Sequence, residues 1–217
     1  MRFVDAQKLK YYAKIQDWWR FAEPFELLTH KFLLSYAKRD DVFLDIGAHV
    51  GIYTVKLAQR VSKVIALEPE PQNYKFLYRN ILINHLNDKV IALPIAASDR
   101  DGYADLCVKA LSGTHTLEDL QNCKRIIKVI TLRVDTLLKI LDIKKIDIVK
   151  IDVEHHESKV INGMSEILTN KPPRLLVIET KKNNFQLLET FITLGYKAVV
   201  LDHWDSTCNY GFYRTLR

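Results

Sequence analysis

Short apolar runs and segments of helical spacing alternate along most of the chain. From residue 42 onwards, the apolar runs predict strands at 42–44, 63–67, 89–96, 146–151 and 174–178. The segments between and after them predict helices at 50–58, 71–86, 133–141, 157–168 and 184–194. Alternation of this kind specifies a parallel sheet with helices on both faces. We therefore predict a doubly wound α/β fold.

Two regions depart from this alternation. Near the C-terminus, segments 197–201 and 210–216 have the pattern of strands with no helix between them. They should pair antiparallel, as a hairpin that completes a mostly parallel, seven-stranded sheet. Residues 99–131 interrupt the alternation with two short predicted strands, 103–108 and 128–132, around a polar loop. We expect this segment to be an insertion near the functional site.

The first 40 residues are predicted to be helical. From residue 5, the apolar side chains fall within one arc of a helix, formed by Tyr11, Tyr12, Ile15, Trp18, Trp19 and Ala22. Glu23-Pro24 should end this helix, and a second helix is predicted at 25–36. We expect residues 1–40 to be a helical segment that either packs on the sheet or covers an acceptor site. Residues 41–217 should form the main domain.

A glycine-containing turn follows the first strand of that domain. Gly47 and Gly51 bracket the turn, where a ligand must approach the backbone closely and positive φ angles are accessible. A dinucleotide fingerprint needs glycine at the third and sixth positions from Gly47, but the chain has His49 and Ile52 there. Asp45, just before the turn, would repel a pyrophosphate. The pattern favours a cationic nucleoside, and S-adenosylmethionine is the common cofactor that fits.

A second acidic residue strengthens this interpretation. Glu68 follows the predicted strand 63–67, roughly 20 residues beyond the glycine turn, where doubly wound folds hold a ribose diol. A carboxylate accepts hydrogen bonds from both hydroxyls. An acidic residue after a strand is more often a solvated loop residue, so the argument rests on the combination of Asp45, the glycines and Glu68.

The other candidate residues lie around a later predicted strand. Asp152 and Glu154 follow strand 146–151, and the carboxyl ends of parallel strands meet at one crevice. Glu157 projects from the apolar arc of the next helix, where it either braces the first turn or orients the substrate. His156 has a pKa suited to proton abstraction. We predict no metal at His155 and His156, because adjacent helical residues do not face each other.

Composition limits the classes of protein further. At 217 residues, with no Gly-rich or Pro-rich linker, the chain is most simply one domain. The net charge of +6 permits a nucleic-acid partner, but the basic residues are scattered, which favours an ordinary solvated surface. Three cysteines without a CxxC motif, Cys107, Cys123 and Cys208, are typical of a reducing compartment. There is no apolar run of roughly 20 residues, so we expect a soluble, cytoplasmic protein.

The motifs together resemble those of the FkbM-type methyltransferases. The matching segments are Leu44-Asp-Ile-Gly-Ala-His-Val-Gly51, Leu67-Glu-Pro-Glu-Pro71 with Asn73-Tyr74 and Asn80, Ala96-Ala-Ser-Asp99, Thr131-Leu-Arg-Val-Asp135, and Asp147-Ile-Val-Lys-Ile-Asp-Val-Glu-His-His-Glu157 with Gly163. The family usually has Asn where His49 stands and Gly where His155 stands. A histidine after Glu154 is expected to narrow the pocket or change the turn.

The resemblance implies a class I methyltransferase fold, S-adenosylmethionine as cofactor, and O-methylation of sugars or other small hydroxyl compounds. The cofactor-binding candidates are Asp45, Gly47, Ala48, His49, Gly51, Glu68, Pro69, Ala97, Ser98 and Asp152. The catalytic candidates are Asp152, Glu154, Glu157 and His156. Asp152 or Glu154 is the first choice for the group that accepts the hydroxyl proton or orients the acceptor.

Two alternatives remain from the residues. The first is an RNA or protein methyltransferase, although the Asn-Pro-Pro-aromatic motif of many nitrogen methylases does not follow the fourth strand. The second is a protein that binds the cofactor without turnover. This alternative remains because His49 and His155 stand where the family usually has Asn and Gly. Our sequence-based hypothesis is a small-molecule O-methyltransferase.

Overall fold

The computed structural model describes residues 1–4, 8–21 and 25–214. The strands are β1 Arg2–Val4, β2 Lys10–Tyr12, β3 Val42–Ile46, β4 Lys63–Leu67, β5 Val90–Leu93, β6 Ile95–Ala97, β7 Gly102–Val108, β8 Arg125–Leu132, β9 Ile148–Ile151, β10 Leu175–Lys181, β11 Lys197–His203 and β12 Thr207–Tyr213. The α-helices are α1 Leu27–Tyr36, α2 Ile52–Ala58, α3 Pro71–Ile83, α4 Val134–Ile140, α5 Glu157–Asn162, α6 Ser165–Asn170 and α7 Phe185–Thr193, and Ile15–Phe21 forms a 3₁₀-helix.

Seven strands form the main sheet, in the order β11-β12-β10-β9-β3-β4-β5. Strands β10, β9, β3, β4 and β5 run parallel, and β12 pairs antiparallel with both β10 and β11. This confirms the predicted doubly wound, mostly parallel sheet with its C-terminal hairpin. The chain runs from β3 outward to β5 and later returns to β9 on the other side of β3. That reversal makes the carboxyl ends of β3 and β9 the expected position of a ligand crevice.

Each face of the main sheet buries its own apolar cluster, because successive side chains of a strand point to opposite faces. Leu44 and Ile46 pack on the face covered by α4 to α7. Phe43 packs on the face covered by α1, α2 and α3. This alternation leaves Asp45, between Leu44 and Ile46, on the α1–α2 face of the sheet. No helix of the described residues is long and apolar enough to cross a membrane.

The predicted first helix is wrong. Tyr11 and Tyr12 lie in β2, which pairs with β1, and Ile15 and Trp19 lie in the 3₁₀-helix. The side chains of Asn80 on α3 and of Asn84, the residue after α3, accept hydrogen bonds from the backbone N–H groups of Tyr12 (2.5 Å) and Lys10 (3.0 Å), respectively. These long-range bonds favour an extended backbone over the helix that the periodicity suggested. The second helix is present as α1. The predicted helix start at 5–7, together with Ala22, Glu23-Pro24 and residues 215–216, lies outside the described residues.

Two other elements differ from the prediction. The predicted strand 89–96 is divided into β5 in the main sheet and β6 in a separate sheet of order β6-β8-β7. The predicted helix 157–168 is two helices, because the Asp135 carboxylate accepts hydrogen bonds from the N–H groups of Glu166 (3.0 Å) and Ile167 (3.1 Å) and so caps a new N-terminus. At the break, a Cβ on Gly163 would lie 2.0 Å from the Ser98 carbonyl oxygen.

The cysteine interpretation also needs correction. A disulfide joins Cys107 on β7 to Cys123, just before β8, and Cys208 is free and buried. A reducing compartment would not maintain such a bond, so the cysteines do not support the cytoplasmic assignment. The disulfide closes the loop between β7 and β8, and this loop contributes residues to the cleft described below.

Candidate active site

One cleft lies at the carboxyl ends of β3, β4 and β9 and contains about 670 Å³ of space free of protein atoms. Its walls come from the main sheet, from β6 and β7, and from the β7–β8 loop. The lining residues are Arg20, Ile46, Gly47, His49, Leu67, Glu68, Pro69, Asn73, Ile95, Ala96, Ala97, Leu106, Gly113, His115, Leu117, Asp152, Val153, Glu154 and His156.

Gly47 forms the tightest part of the wall. Its φ is +79°, and a Cβ there would lie 1.8 Å from the Asp152 carbonyl oxygen, so no larger residue fits. The N–H groups of Gly47 and Ala48 both donate to the Leu67 carbonyl, at 3.0 and 2.9 Å. These bonds hold the glycine turn against the end of β4. The turn therefore brings β3, β4 and β9 together at one point of the cleft.

Glu68 is buried and lines the cleft beside this turn. One carboxylate oxygen accepts from the His49 N–H (2.8 Å) and the other from the Glu70 N–H (2.9 Å). Burial raises the pKa of Glu68 to about 7, although both N–H groups lower it. Each oxygen keeps a further lone pair for a ligand. This is the arrangement expected of a group that accepts from a diol.

His49 sits in the turn with a φ of +52°, in the left-handed region. Its side chain is hydrogen-bonded to Ser112 of the β7–β8 loop. Burial lowers the pKa of His49 well below its usual value, and the charge of Arg20 acts in the same direction. The family's usual Asn suits this backbone conformation better than most residues. The neutral histidine instead connects the turn to the loop that covers it.

The remaining cofactor candidates divide into two groups. Pro69 and Ala97 line the cleft. Asp45, Ala48, Gly51 and Ser98 are not among the described residues that line it. Gly51 has a φ of +87°, and a Cβ there would lie 2.5 Å from the Leu77 side chain, so it is needed where α2 packs on α3.

Asp45 takes part in a polar network on the other side of the sheet. Its carboxylate accepts from the Thr54 hydroxyl of α2 at 2.5 Å, and burial raises its pKa to about 6. Lys150 lies next to it, in register on β9, and donates to the Asp152 carboxylate at 2.8 Å. Burial alone would lower the pKa of Lys150, but the charges of Asp152, Glu26 and Asp45 raise it above its usual value. The Asp45 carboxylate therefore interacts with Lys150 and does not form part of the cleft wall.

Asp152 and Glu154 both line the cleft, as predicted from their place after β9. The Asp152 carboxylate is paired with Lys150. The Glu154 carboxylate accepts no hydrogen bond from any residue in the described part of the chain, while its backbone carbonyl accepts from the Thr116 hydroxyl at 2.6 Å. Burial, and then the charge of Asp152, raise the pKa of Glu154 to about 8. The Glu154 carboxylate is therefore available to a ligand in the cleft.

His156 is buried and lines the cleft, whereas His155 is exposed, with a φ of +79°. The Nδ1 of His156 is hydrogen-bonded to the Glu118 carboxylate, and its Nε2 lies 3.0 Å from the Ser98 hydroxyl. Burial lowers the pKa of His156, while Glu118 raises it. The ring is thus held at both nitrogens by protein groups.

Two single substitutions near His156, one of an acidic and one of a basic residue, should shift its pKa in opposite directions. We expect Glu118→Gln to lower the pKa of His156, because both the hydrogen bond and the charge of Glu118 favour the protonated ring. Lys159→Gln is the matched variant and should raise it, because the Lys159 ammonium disfavours the protonated ring. Histidine signals followed by NMR through a pH titration measure both. Shifts of the same sign in the two variants would contradict the assigned contacts.

Glu157 is buried, as predicted, but is not among the described residues that line the cleft. Its carboxylate accepts from the His155 N–H at 2.8 Å. Burial raises the pKa of Glu157 to about 7. Its position fits a brace for the turn between β9 and α5. Glu157 could therefore affect the acceptor only indirectly, by positioning the Asp152–His155 loop.

Several lining residues have no signal in the sequence. Arg20 comes from the N-terminal segment that was predicted to be helical. Gly113, His115 and Leu117 come from the β7–β8 loop, whose polar composition resembles any surface loop. Asn73 lies in a segment that resembles the family, but helical periodicity alone does not indicate that its side chain lines the cleft. Only the tertiary structure brings these residues to the cleft.

Comparison with known proteins identifies methyltransferases among the relatives of this chain. The chain is 29% identical over 142 residues to the hexuronic acid methyltransferase AglP of Haloferax volcanii, a match that covers 64% of this chain and 56% of that protein. The chain thus spans about half the length of this relative. It is 25% identical over 197 residues to the methyltransferase sdnD of Sordaria araneosa, with 75% of each chain covered.

Solved structures share the fold at low sequence identity. The FkbM methyltransferase of Methylobacillus flagellatus superposes with a TM-score of 0.57 and 15% identity, over 94% of this chain and 56% of that one. The TYW2 protein of M. jannaschii, solved with AdoMet, superposes with a TM-score of 0.56 and 16% identity, over 99% and 86% of the two chains. The profile of the methyltransferase FkbM domain matches residues 45–210, which contain the glycine turn, Glu68 and the Asp152–Glu157 segment. The chain therefore belongs to the FkbM methyltransferase domain family.

Proposed function

We propose that this protein binds S-adenosylmethionine in the cleft and transfers a methyl group to an oxygen atom of a small acceptor, with a sugar as the favoured class. Family membership supports methyl transfer. The hexuronic acid methyltransferase among its relatives supports a sugar acceptor. The observation that carries the proposal is the Glu154 carboxylate, which lines the same cleft as Gly47 and Glu68 and is not engaged by another described group.

The cleft residues fit the cofactor. Because Gly47 has no Cβ, the backbone of the glycine turn packs directly against the Asp152 carbonyl, which shapes the cleft wall. Glu68 would accept from the ribose hydroxyls, and the acidic wall formed with Asp152 suits a positively charged ligand. When bound, S-adenosylmethionine supplies a methyl group on a positively charged sulfonium. Ala97 and Pro69 contribute apolar surface to the cleft wall.

Glu154, in its ionised form, is the group that we assign to proton removal from the acceptor hydroxyl, and its raised pKa of about 8 makes that form predominant only above that pH. Asp152 is less suited, because Lys150 donates to one of its oxygens. The two nitrogens of His156 are occupied by Glu118 and Ser98. Arg20 contributes a positive charge to the cleft wall, which favours an acceptor that carries a carboxylate of its own. A hexuronic acid has both a carboxylate and hydroxyls.

A labelled-methyl experiment tests the proposal. The protein is incubated with methyl-labelled S-adenosylmethionine and, in separate samples, with hexuronic acid oligosaccharides, neutral hexose oligosaccharides or total RNA. We expect label in the sugar samples, and more in the acidic ones. Label in RNA alone would contradict the acceptor class. Binding of the cofactor with no label in any sample, including a cell extract, would support a binding protein instead.

Glu68 provides a separate test of the cofactor pocket. Hydrogen bonds to charged groups contribute roughly 1.5–3 kcal/mol, so Glu68→Ala should weaken binding of S-adenosylhomocysteine by about 10- to 100-fold. Asp45→Asn is the comparison, with an expected change of less than about threefold, because Asp45 faces Thr54 and Lys150. Isothermal titration calorimetry measures both affinities. Unchanged affinity in Glu68→Ala, or tight binding of a nicotinamide dinucleotide, would rule out this pocket assignment.

A further inference from the structure

Three carboxylates converge next to the cleft, on the α1–α2 face of the sheet. They belong to Glu26, just before α1, to Asp152, just after β9, and to Glu179 on β10. One oxygen from each lies within 4.8 Å of the others. Ile151 and Ile178 are paired in register on β9 and β10, so the next residues, Asp152 and Glu179, stand side by side on the same face.

A buried amide lies at the same place. Asn209 on β12 is paired in register with Glu179, is fully buried, and has its amide nitrogen 3.3 Å from a Glu26 oxygen. Its carbonyl oxygen has no hydrogen-bond donor within the described residues. An unsatisfied buried acceptor is costly unless something binds it. The oxygen and nitrogen of an amide exchange places by rotation about one bond, so either orientation is available to this side chain.

Other side chains contact one oxygen of each carboxylate, and the second oxygen of Glu26 accepts from the Asn209 amide, whose rotation would free that oxygen for a cation. The Tyr53 hydroxyl donates to Glu26 Oε2 at 2.6 Å, and the Lys150 ammonium donates to Asp152 Oδ2 at 2.8 Å. The Thr207 hydroxyl lies 3.4 Å from Glu179 Oε1. Groups that orient ligands in this way are usual around protein metal sites. Lys150 balances one negative charge of the three, so a divalent ion would balance the other two.

We propose that Glu26, Asp152, Glu179 and the carbonyl oxygen of Asn209 bind a divalent cation. Ligand sets made only of oxygen suit hard ions such as Ca²⁺, Mn²⁺ and Mg²⁺. Ca²⁺ tolerates irregular coordination by carboxylate and amide oxygens, whereas Mg²⁺ demands near-ideal octahedral geometry, so Ca²⁺ is the first ion to test.

The position also indicates a role. Asp152 lies in both the cation cluster and the cleft wall, so the ion would sit at the edge of the cleft. There it would hold an oxygen of the acceptor and draw it toward Glu154. This role rests on the proposed function, but binding of the cation does not.

Cation binding is tested on the full chain, freed of metal with a chelator and without cofactor. Titration with CaCl₂ and, separately, MnCl₂ is followed by calorimetry and by the melting temperature. We expect one saturable site per chain and a rise in melting temperature on the order of 5 °C at saturation. Glu179→Gln should weaken the affinity about tenfold or more, and Asn209→Ala should weaken it as well. Glu166→Gln, which removes an exposed carboxylate of α6, should bind as the wild type does.

The metal-free melting temperature distinguishes loss of a ligand from loss of folding. Glu179→Gln removes repulsion among like charges, so its metal-free melting temperature should equal or exceed that of the wild type. Absence of saturable binding by the wild type, or equal affinity in Glu179→Gln and Glu166→Gln, would overturn the proposal. Calorimetry with S-adenosylhomocysteine on the same sample tests the cofactor pocket independently of the cation site. Cofactor binding without cation binding would reject the cation site alone, and the reverse would reject the cofactor pocket alone.

Discussion

Glu154→Gln is expected to lower kcat by a factor of about 10² to 10⁴ and to leave the affinity for S-adenosylhomocysteine nearly unchanged. Glutamine has nearly the same shape but cannot accept the hydroxyl proton. A group that acts on the acceptor contributes mainly in the transition state, so the loss should appear in turnover rather than in cofactor binding. The residue is suited to this role because it lines the cleft and is not engaged by another described side chain.

The measurement is single-turnover transfer of a labelled methyl group to the acceptor found by the panel described above. Glu166→Gln is the control, since it makes the same chemical change on the exposed surface of α6. Asp152→Asn separates the two neighbouring carboxylates. If Glu154→Gln keeps wild-type turnover while Asp152→Asn loses it with unchanged cofactor and cation affinity, the proton acceptor is Asp152. If both keep it in folded protein, neither residue has the assigned role.

Gly47→Ala should both destabilise the protein and abolish cofactor binding. The φ of +79° costs a residue with a Cβ roughly 1–2 kcal/mol, and the Cβ would lie 1.8 Å from the Asp152 carbonyl oxygen. Forced overpacking typically costs a further 1–3 kcal/mol, so we expect a total loss of about 2–5 kcal/mol in the free energy of unfolding. The backbone of Asp152 must move away to accommodate the methyl group, and the cleft wall moves with it.

Gly195→Ala separates the conformational cost from the clash. Gly195 has nearly the same φ, +83°, but a Cβ there would meet only the Arg214 guanidinium at 3.6 Å. We expect a loss of only about 1–2 kcal/mol and no change in cofactor affinity. Urea unfolding and calorimetry measure both quantities. If Gly47→Ala and Gly195→Ala are equally destabilising, the close approach of Asp152 is not the reason that residue 47 must be glycine.

Much of the architecture could be predicted from local pattern. The strands and helices after residue 42 follow from the periodicity of apolar residues within short segments. Over such lengths, backbone preference and burial of one face favour the same structure. The glycine turn and Glu68 could be found because the chemistry of a nucleoside site requires particular residues at a nearly fixed spacing. Asp152 and Glu154 could be placed at the cleft because parallel strands end at the same edge of a sheet.

Other features depend on contacts between distant segments. The N-terminal region has the apolar period of a helix, yet hydrogen bonds from Asn80 and Asn84 hold residues 10–12 as a strand. The motif that contains Asp45 suggested a cofactor ligand, but strand alternation directs its side chain to Thr54 and Lys150 on the other face. The break after α5 depends on Asp135, which caps α6 from another helix.

The sequence by itself determined the class of fold, the glycine turn, and the carboxylates at the ends of β4 and β9. The tertiary structure alone decided which side chains share a space. Arg20 reaches the cleft from the N-terminal segment, and Glu26, Glu179 and Asn209 meet Asp152 from three other parts of the chain. The physical reason is that periodicity and turn chemistry act over a few residues. Strand order and register bring together side chains that are more than a hundred residues apart, and no local pattern encodes that order.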